Sequence, residues 1–261
     1  MTGTYESGAD QPAAGVQSVN RAFRLLETLA STGGRLSMSE LAERSALPLG
    51  TVHRLLRTMV RSGYVRQDAD RRYALGPALL PLGDAAKRLL GGWAQSSLVE
   101  LAEETGESAN IAVLDDDWVV YVAQAPGRHR MRLFTEVGRR VLPHSTAVGK
   151  VLLAWQTDAN IGRIVRRFGL PPRTPNTVTS PLAFSRALAA VRSRGWAIDD
   201  QEEEIGVRCF AVPVGPGANA VAAISVSAPA ARLQRDSPDV LAAMLRVAHG
   251  LAKSGSAPTI P

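Results

Sequence analysis

The stretch LGTVHRLLRTMVRS, residues 49–62, decides the fold of the first third of the chain. Its apolar side chains recur three and four residues apart, at Val52, Leu55, Leu56 and Met59. This spacing predicts an amphipathic helix with one buried stripe. The opposite face carries no acidic residue and presents Gly50, Arg54, Arg57 and Arg61, with Thr51, His53 and Thr58 at its flanks. Such a face suits the major groove of DNA, although on an isolated helix it is more often only a solvated basic surface.

The residues before this helix predict a shorter helix and a turn. Ser37–Glu40 matches the capping box S-x-x-E, in which both side chains satisfy N–H groups at a helix start. Ala46–Pro48 then predicts a tight break. An apolar pattern that runs from Ser18 to Gly33-Gly34 predicts one more helix upstream. A short helix, a turn and a longer amphipathic helix form the order of a helix-turn-helix domain.

The residues after the helix indicate a hairpin. Tyr64–Arg66 and Arg72–Leu75 are strand-like, and Asp68–Asp70 between them favours a turn. A basic hairpin directly after such a helix is typical of a wing whose arginines contact phosphates, and the alternative is a surface hairpin with incidental arginines. We therefore expect a winged helix-turn-helix domain over residues 18–76 that binds double-stranded DNA. Its expected contacts are Ser37, Gly50, Thr51, His53, Arg54, Arg57, Arg61, Arg66, Arg71 and Arg72.

Composition and charge limit the class of protein. Residues 19–75 hold ten arginines and five acidic residues, whereas residues 92–261 hold 18 basic and 16 acidic groups. The basic excess near the N-terminus favours a polyanionic partner for that part. A single cysteine, Cys209, excludes an internal disulfide and a multi-cysteine metal site. The sequence shows neither a signal-peptide pattern nor an apolar run of the roughly 18 residues that span a membrane, so we expect a cytoplasmic protein without a membrane partner.

The rest of the sequence alternates helical and strand-like segments. Residues 77–91 indicate a linker helix, in which Pro81 predicts a break or a helix that restarts there. Ser97–Glu100 is a second capping-box match and predicts the start of a helix that ends at Gly106. An α+β domain around an antiparallel sheet is predicted by strands at 110–114, 118–124, 209–214 and 221–227 and helices at 149–155 and 184–195.

Several stretches resemble one bacterial family. QSVNRAFRLLETLA, LSMSELAERSALPLGTVHRLLRTMVRSGYVRQD and RRYALGPALLPLG resemble the N-terminal domain of the IclR-type transcriptional regulators. VGRRVLPHSTAVGKVLLA, GWAIDDQEEEIGVRCFAVPV and VAAISVSAP resemble the second domain of that family, a GAF-like α+β fold. The resemblance implies a homodimer or homotetramer that binds an operator and responds to a small-molecule effector, often an organic acid.

The expected domain order follows from these segments. We expect a disordered tail over 1–17, the winged domain over 18–76, the linker helix over 77–91 and a final tail over 256–261. Between them, residues 92–255 would form the effector-binding and oligomerisation domain.

The resemblance also implies a ligand site. Family members that bind organic acids line their pocket at positions that match Ala147, Val148, Asp199, Cys209, Ser225 and Ser227. Two departures from the family stand nearby: Leu142-Pro143-His144 changes the usual order of proline and histidine, and the bulkier Val148 and Val151 would narrow the pocket.

Residue chemistry supports this site. The N–H groups of Ala147 and Val148, at an expected helix start, would attract a carboxylate. Ser225 and Ser227 lie two apart on a strand, so both face one side and would donate to the same carboxylate. Asp199 would accept from a hydroxyl or amide at the other end. The structural alternatives are a core cysteine, a polar strand face and an aspartate that caps a turn.

Other functions fit the sequence less well. Residues 144–150, HSTAVGK, contain Gly-Lys, but a P-loop requires glycine at the position of His144 and serine or threonine at the position of Val151. No G-x-S-x-G elbow occurs. His144 and Ser145 show no triad spacing, and His129 and His144 show no zinc-ligand spacing. We therefore predict no enzyme activity, catalytic residue, metal or cofactor. The alternatives are an architectural DNA-binding protein without a ligand and a hydrolase with a DNA-binding appendage.

Two further questions stay open at this stage. If the ligand does not bind at the six positions above, the basic segment 128–132 is the next candidate. The sequence is equally compatible with repression and with activation.

Overall fold

The computed structural model describes residues 15–130, 133, 135–215, 220 and 222–254. The chain divides into two compact units between Asp84 and Ala85, within the expected linker. Most of the expected N-terminal tail and all of the final tail, 256–261, lie outside the described residues.

The first unit has the winged helix-turn-helix order that the sequence predicts. Its helices and strands are α1 (Gln17–Ser31), α2 (Met38–Ser45), α3 (Leu49–Arg61), β1 (Val65–Gln67) and β2 (Tyr73–Leu75). The strands pair antiparallel, and Ala46 forms the turn between α2 and α3 in a left-handed conformation (φ 51°). Leu25, Leu41, Val52 and Leu56 are buried in its core.

Helix α4 (Leu79–Leu90) follows the hairpin. Pro81 is its third residue and lies in the first turn. Backbone N–H groups of the first turn form no hydrogen bond within the helix, so a proline there removes none. The helix thus begins near Pro81, as one of the two sequence alternatives proposed. After the helix, within the second unit, Gly91 packs so closely on the segment around Val122 that an added Cβ would lie 2.2 Å from the carbonyl oxygen of Val122. Only glycine permits that approach.

The second unit is an α+β domain built on an antiparallel sheet, as predicted. Its helices are α5 (Gln95–Thr105), α6 (Ala147–Ala154), α7 (Asp158–Phe168), α8 (Pro181–Arg194) and α9 (Pro238–Lys253). Its strands are β3 (Ser108–Asp115), β4 (Trp118–Ala125), β5 (Arg140–Val141), β6 (Ala197–Asp200), β7 (Val207–Val214) and β8 (Ala222–Pro229). In the described residues they form one sheet in the order β5-β4-β3-β8-β7-β6, with antiparallel neighbours.

Alternation along the strands gives this sheet two different faces. Large side chains such as Ile111, Phe210 and Ile224 point to one face and pack with α5 and α9. Small side chains such as Ala211 and Ala223 point to the other face, where α6 packs. The α6 face of the sheet is thus lined by smaller side chains than the face that packs on α5 and α9.

The second unit differs from the sequence expectation in two respects. Helix α5 begins at Gln95, directly after a 3-10 turn at Gly92–Ala94, so Ser97 lies inside the helix and does not cap it. The turn continues into the helix without the extended residue that a serine cap needs. Helices α7 and α9 and strands β5 and β6 were not among the predicted segments. In the part of the chain that the structure describes, no helix combines the length and apolar character needed to cross a membrane.

Candidate functional site

The first candidate site is the exposed face of α3. Val52, Leu56 and Met59 are buried, whereas Arg54, Arg57 and Arg61 are exposed together with Gly50 and His53. Thr51 is half-buried at the edge of this face. Helical periodicity therefore places the cationic side chains of α3 in solvent, on the side opposite the core.

The arginines of α3 are not engaged by acidic side chains. Among the described residues, Arg54, Arg57 and Arg61 form no ion pair with a carboxylate, while the arginines of the hairpin do. A guanidinium without a protein partner keeps all its N–H donors available for a base edge or a phosphate.

The hairpin holds most of its own arginines. Arg66 pairs with Asp68 at 3.7 Å, and Arg72 pairs with Glu40 at 3.5 Å. Arg35, which the sequence analysis did not single out, pairs with Asp68 at 2.9 Å and with Asp70 at 3.1 Å. The Arg72–Glu40 pair joins the hairpin to the start of α2, the Arg35 pairs join it to the segment before α2, and the Arg66–Asp68 pair lies within the hairpin. The arginine side chains of these pairs are largely exposed, so the pairs contribute little to stability.

Arg71 occupies the tip of the hairpin in an unusual conformation. Its φ of 61° lies in the left-handed region, which favours glycine, and its N–H donates to the carbonyl of Asp68 at 3.0 Å. Its side chain is exposed and forms no ion pair within the described part of the chain. An arginine at a strained turn position suggests a role for the side chain beyond the turn.

Ser37 has a structural partner. Its hydroxyl accepts from the N–H of Glu40 at 3.3 Å, and the Glu40 carboxylate accepts from the N–H of Ser37 at 2.7 Å. The capping box predicted for α2 is therefore present. A DNA contact by Ser37 stays a prediction.

The second candidate site is a row of polar side chains across the sheet of the second unit. Asp199 on β6 lies opposite Cys209 on β7, which lies opposite Ser227 on β8. Directly opposed residues of an antiparallel sheet point to the same face, and so does Ser225, two residues from Ser227. Strand register thus brings together four of the six residues that the sequence analysis assigned to the ligand site.

The remaining two, Ala147 and Val148, start α6 on the same face. Both are buried and pack in one cluster with Ala211 and Ala223 of the sheet. Thr146 caps the helix, its hydroxyl accepting from the N–H of Gly149 at 3.2 Å. The N–H groups of the first helical turn have no acceptor within the helix.

Gly149 explains how α6 comes so close to the segment before it. A Cβ added at Gly149 would lie 2.2 Å from the carbonyl oxygen of Pro143. The glycine of this Gly-Lys pair is therefore required by packing. The next residue, Lys150, is buried, donates to the carbonyl of Ile198 at 3.0 Å and pairs with Glu202.

Asp199 has two functions in this arrangement. One carboxylate oxygen accepts from the N–H of Glu202 at 2.7 Å and of Glu203 at 3.3 Å, so the aspartate caps the turn after β6. Burial raises the pKa of Asp199 to about 7, against the lowering effect of these N–H groups and of Lys150. Near neutral pH a large fraction of Asp199 is protonated, and it can then donate as well as accept.

The structure adds residues that the sequence analysis missed. The Asn110 side-chain amide is buried in β3, 3.5 Å from the hydroxyl oxygen of Ser225 and 3.3 Å from that of Ser227. The side-chain amide of Gln124 on β4 lies 3.0 Å from the Asn110 amide. We call Asp199, Cys209, Ser225, Ser227, Asn110 and Gln124 the polar row. A polar residue at the head of the apolar run Asn110–Leu114 was the signal available in the sequence.

Desolvation keeps two further groups of this face neutral. It raises the pKa of the Cys209 thiol, and it raises the pKa of the Tyr121 hydroxyl, with the neighbouring Asp199 and Glu203 carboxylates adding to both effects. Both groups therefore stay protonated at physiological pH and can serve as hydrogen-bond donors.

The residues considered for catalysis have separate partners. His144 Nε2 lies 3.0 Å from the carbonyl oxygen of Pro171, whereas the hydroxyl of Ser145 donates to Glu203 at 2.6 Å. Within the described ranges, no group of three or more His, Cys, Asp or Glu side chains is placed to hold a metal. In the basic segment 128–132, the alternative ligand site, Arg128 and Arg130 are exposed, and residues 131 and 132 lie outside the described residues.

A winged helix-turn-helix unit with an exposed basic helix face, followed by an α+β unit with a polar row on its sheet, is the architecture of a two-domain DNA-binding transcriptional regulator. The chain belongs to the IclR family. The family profile described as "Bacterial transcriptional regulator IclR C-terminal" matches residues 90–251, and the "IclR helix-turn-helix domain" matches residues 18–69.

Individual relatives agree with this assignment. The chain is 35% identical over 244 residues to the "Transcriptional repressor IclR" of Escherichia coli, covering 91% of this chain and 89% of the relative. It is also similar to the solved IclR regulator of Alicyclobacillus acidocaldarius, with a TM-score of 0.81 and 32% identity, covering 92% and 98% of the two chains. A third structure, an IclR homologue from Microbacterium hydrocarbonoxydans in complex with 4-hydroxybenzoate, matches with a TM-score of 0.79, 26% identity and coverage of 91% and 98%.

Proposed function

We propose that this IclR-family regulator contacts its operator through the exposed face of α3 and through Arg71. The observation that carries this proposal is the contrast in pairing: the arginines of α3 and Arg71 are exposed without an ion pair in the described structure, whereas Arg66 and Arg72 are held by carboxylates. Arg54 and Arg57 then enter the major groove, and Arg71 contacts a phosphate. Arg66 and Arg72 act mainly by fixing the hairpin.

The same proposal assigns the polar row and the start of α6 to a small organic-acid effector. Asn110, Asp199, Ser225 and Ser227 are buried on the sheet face lined by small residues, and Cys209 and Gln124 are half-buried beside them. On this face α6 brings the N–H groups of Ala147 and Val148 to the sheet. Polar side chains gathered beneath a helix start make a small-ligand site. An architectural DNA-binding protein without a ligand would leave this buried polar row without a use. The complex of a relative with 4-hydroxybenzoate supports the ligand class.

Effector binding changes operator affinity only if the effector prefers one of two states of the protein. The covalent connection between the expected domains is the segment 77–91, which contains α4. We assign residues 18–76 to DNA binding, 77–91 to coupling and 92–255 to effector binding and oligomerisation.

A homodimer or homotetramer is part of this proposal. Helix α4 exposes Leu80, Leu82 and Leu89, whose exposed fractions are 69%, 55% and 71%. Leucines this exposed favour burial against a second copy. Two recognition helices related by two-fold symmetry would read half-sites about one helical turn apart, or a multiple of that. Light scattering that gives a monomer, both free and on DNA, would contradict the proposed homodimer or homotetramer.

The effector proposal is tested by calorimetry with a panel of small carboxylates that includes 4-hydroxybenzoate, followed by gel shifts with and without the acid that binds. Replacing a group that binds the effector should cost about 1.5–3 kcal/mol where the lost hydrogen bond involves a charge. We expect Ser227→Ala and Asp199→Asn to weaken acid binding and to leave operator affinity without acid unchanged. If an acid binds and neither variant alters its affinity, the site lies elsewhere, and the segment 128–132 is tested next.

A further inference from the structure

The amide pair, which we define as the side chains of Asn110 and Gln124, connects the polar row to the loop that follows β4. One end of the pair contacts the hydroxyls of Ser225 and Ser227, and the other contacts the backbone of Thr135. An amide has a donor end and an acceptor end. The direction in which each amide lies therefore decides whether the serines are free to donate.

Thr135 fixes the direction of Gln124. Its backbone N–H lies 2.7 Å from one end of the Gln124 amide, and its carbonyl oxygen lies 3.2 Å from the amide. The backbone cannot exchange its donor and its acceptor. The Gln124 oxygen must therefore face the N–H of Thr135, and the Gln124 nitrogen must face the Thr135 carbonyl, because the opposite orientation sets donor against donor and acceptor against acceptor.

The orientation of Gln124 then fixes that of Asn110. The Gln124 oxygen, placed in this way, lies 3.0 Å from the nearer end of the Asn110 amide. Two amide carbonyl oxygens carry no hydrogen and cannot bond to each other. Asn110 therefore presents its nitrogen to Gln124 and its carbonyl to Ser225 and Ser227. Because Asn110 is fully buried, its carbonyl needs a donor, and the two serine hydroxyls supply it.

We infer that the amide pair sets the hydrogen-bonding polarity of the effector site, with Gln124 as the positioning residue that determines specificity. The inference rests on the proposed effector function. With Thr135 in place, Ser225 and Ser227 commit their protons to Asn110 and offer only lone pairs to a ligand. This end of the site then takes a hydroxyl, amide or protonated amine of the effector, and its carboxylate binds at the start of α6.

The inference changes the sequence-based expectation that both serines donate to the carboxylate, and it adds a condition. A carboxylate binds the serines only after both amides turn, so that Asn110 donates to the hydroxyls. Gln124 would then set like groups against both backbone groups of Thr135, and Thr135 would have to leave. A carboxylate at the serines is thus linked to displacement of the loop at Thr135.

Neutron diffraction on ligand-free crystals of the full chain tests the orientation directly. We expect deuterium on the Gln124 nitrogen directed at the carbonyl of Thr135, and deuterium on the Asn110 nitrogen directed at Gln124. Deuterium on Asn110 directed at Ser225 or Ser227 would overturn the inference. This measurement requires no effector, so it is independent of the proposed function.

A binding experiment tests the consequence with two pairs of acids that differ by one hydroxyl: lactate against propionate, and 4-hydroxybenzoate against benzoate. We expect the parent to prefer the hydroxyl acid of a pair, because its hydroxyl donates to the serines. Gln124→Met removes the orienting amide and lets Asn110 turn. The preference should then fall about three- to tenfold.

Gln95→Met is the matched control. The side chain of Gln95 donates to the backbone carbonyl of Gln124 at 3.2 Å. This bond does not depend on the orientation of the Gln124 side-chain amide. The control should keep the parent's preference, and thermal melts should show that both variants fold. An unchanged preference in Gln124→Met would overturn the inference. If none of the four acids binds the parent, the effector proposal fails for this class of ligand, and the neutron result still decides the amide orientation.

Discussion

The two candidate sites differ in how their polar groups are occupied. On α3, Arg54, Arg57 and Arg61 are exposed and form no ion pair in the described structure. In the second unit, Asp199 accepts from the backbone, and Asn110 lies within hydrogen-bond distance of three other side chains. A surface for a large polyanion can wait unpaired because water solvates it, whereas a buried site must satisfy its own groups until a ligand replaces them.

The largest effect on stability is expected at Gly149, where the start of α6 approaches the backbone of Pro143. Gly149→Ala places a Cβ against Pro143, so the start of α6 must move, and we expect a loss of about 2–4 kcal/mol in the free energy of unfolding of the second unit. Gly250→Ala is the matched control. No atom lies within 4 Å of the added Cβ there, and alanine in α9 should stabilise the helix by about 0.5–1 kcal/mol. Urea unfolding distinguishes the two, and equal stability of Gly149→Ala and parent would contradict the packing argument.

The second prediction concerns the pH dependence of stability that Asp199 in the buried site should cause. The pKa of Asp199 is about 7 in the folded chain and near 3.8 when unfolded, so between these values the folded state holds a proton that the unfolded state has lost. Stability should therefore fall as pH rises from about 4 to 7, by up to about 1.4 kcal/mol per unit from this group. Asp199→Asn should remove that slope, while Asp236→Asn, at an exposed position, should keep it. Parallel pH profiles of the parent and Asp199→Asn would exclude a raised pKa.

A third effect compares unpaired with paired arginines in the first unit. If Arg54 contacts a base, Arg54→Ala should cost about 1–3 kcal/mol of operator affinity and relax specificity at one position. Arg72→Ala should cost less, because Arg72 is already held by Glu40. Arg186→Ala, on α8 of the second unit, is the control and should leave gel shifts unchanged. An Arg72 effect equal to that of Arg54 would show that the ion pair opens on DNA.

The smallest effect sharpens the role of Arg71. Arg71→Gly relieves the left-handed backbone and should leave the stability of the first unit equal or higher by up to about 1 kcal/mol. If Arg71 binds a phosphate, the same variant should lower the slope of log affinity against log salt by about one. An unchanged salt slope would show that Arg71 contacts no phosphate, whatever the change in stability.

Prediction from sequence succeeded where one element carries the information. The spacing of Val52, Leu56 and Met59 fixes both the buried and the exposed side of α3, and the Ser37–Glu40 pattern fixes the start of α2. The capping pattern at Ser97 failed because the preceding 3-10 turn continues directly into α5. A local motif is reliable only when the residues before it are free to be extended.

The buried site needed information that is not local. Ser225 and Ser227 were expected to share a strand face, and they do. Asn110 and Gln124 join them because β3 lies between β4 and β8, a strand order that no short stretch of sequence reveals. Family resemblance supplied the first six positions, but register and hydrogen-bond geometry were required for the rest.

The position of Cys209 gives this regulator a built-in chemical reporter. The chain contains one thiol, and it lies in the polar row, where desolvation keeps it protonated and poorly nucleophilic. A thiol-specific reagent therefore labels the protein at one place, and because Cys209 is half-buried, the labelling rate depends on how accessible the α6 face of the sheet is. Labelling kinetics thus measure the accessibility of that face without an engineered probe, and a ligand that covers Cys209 should slow them.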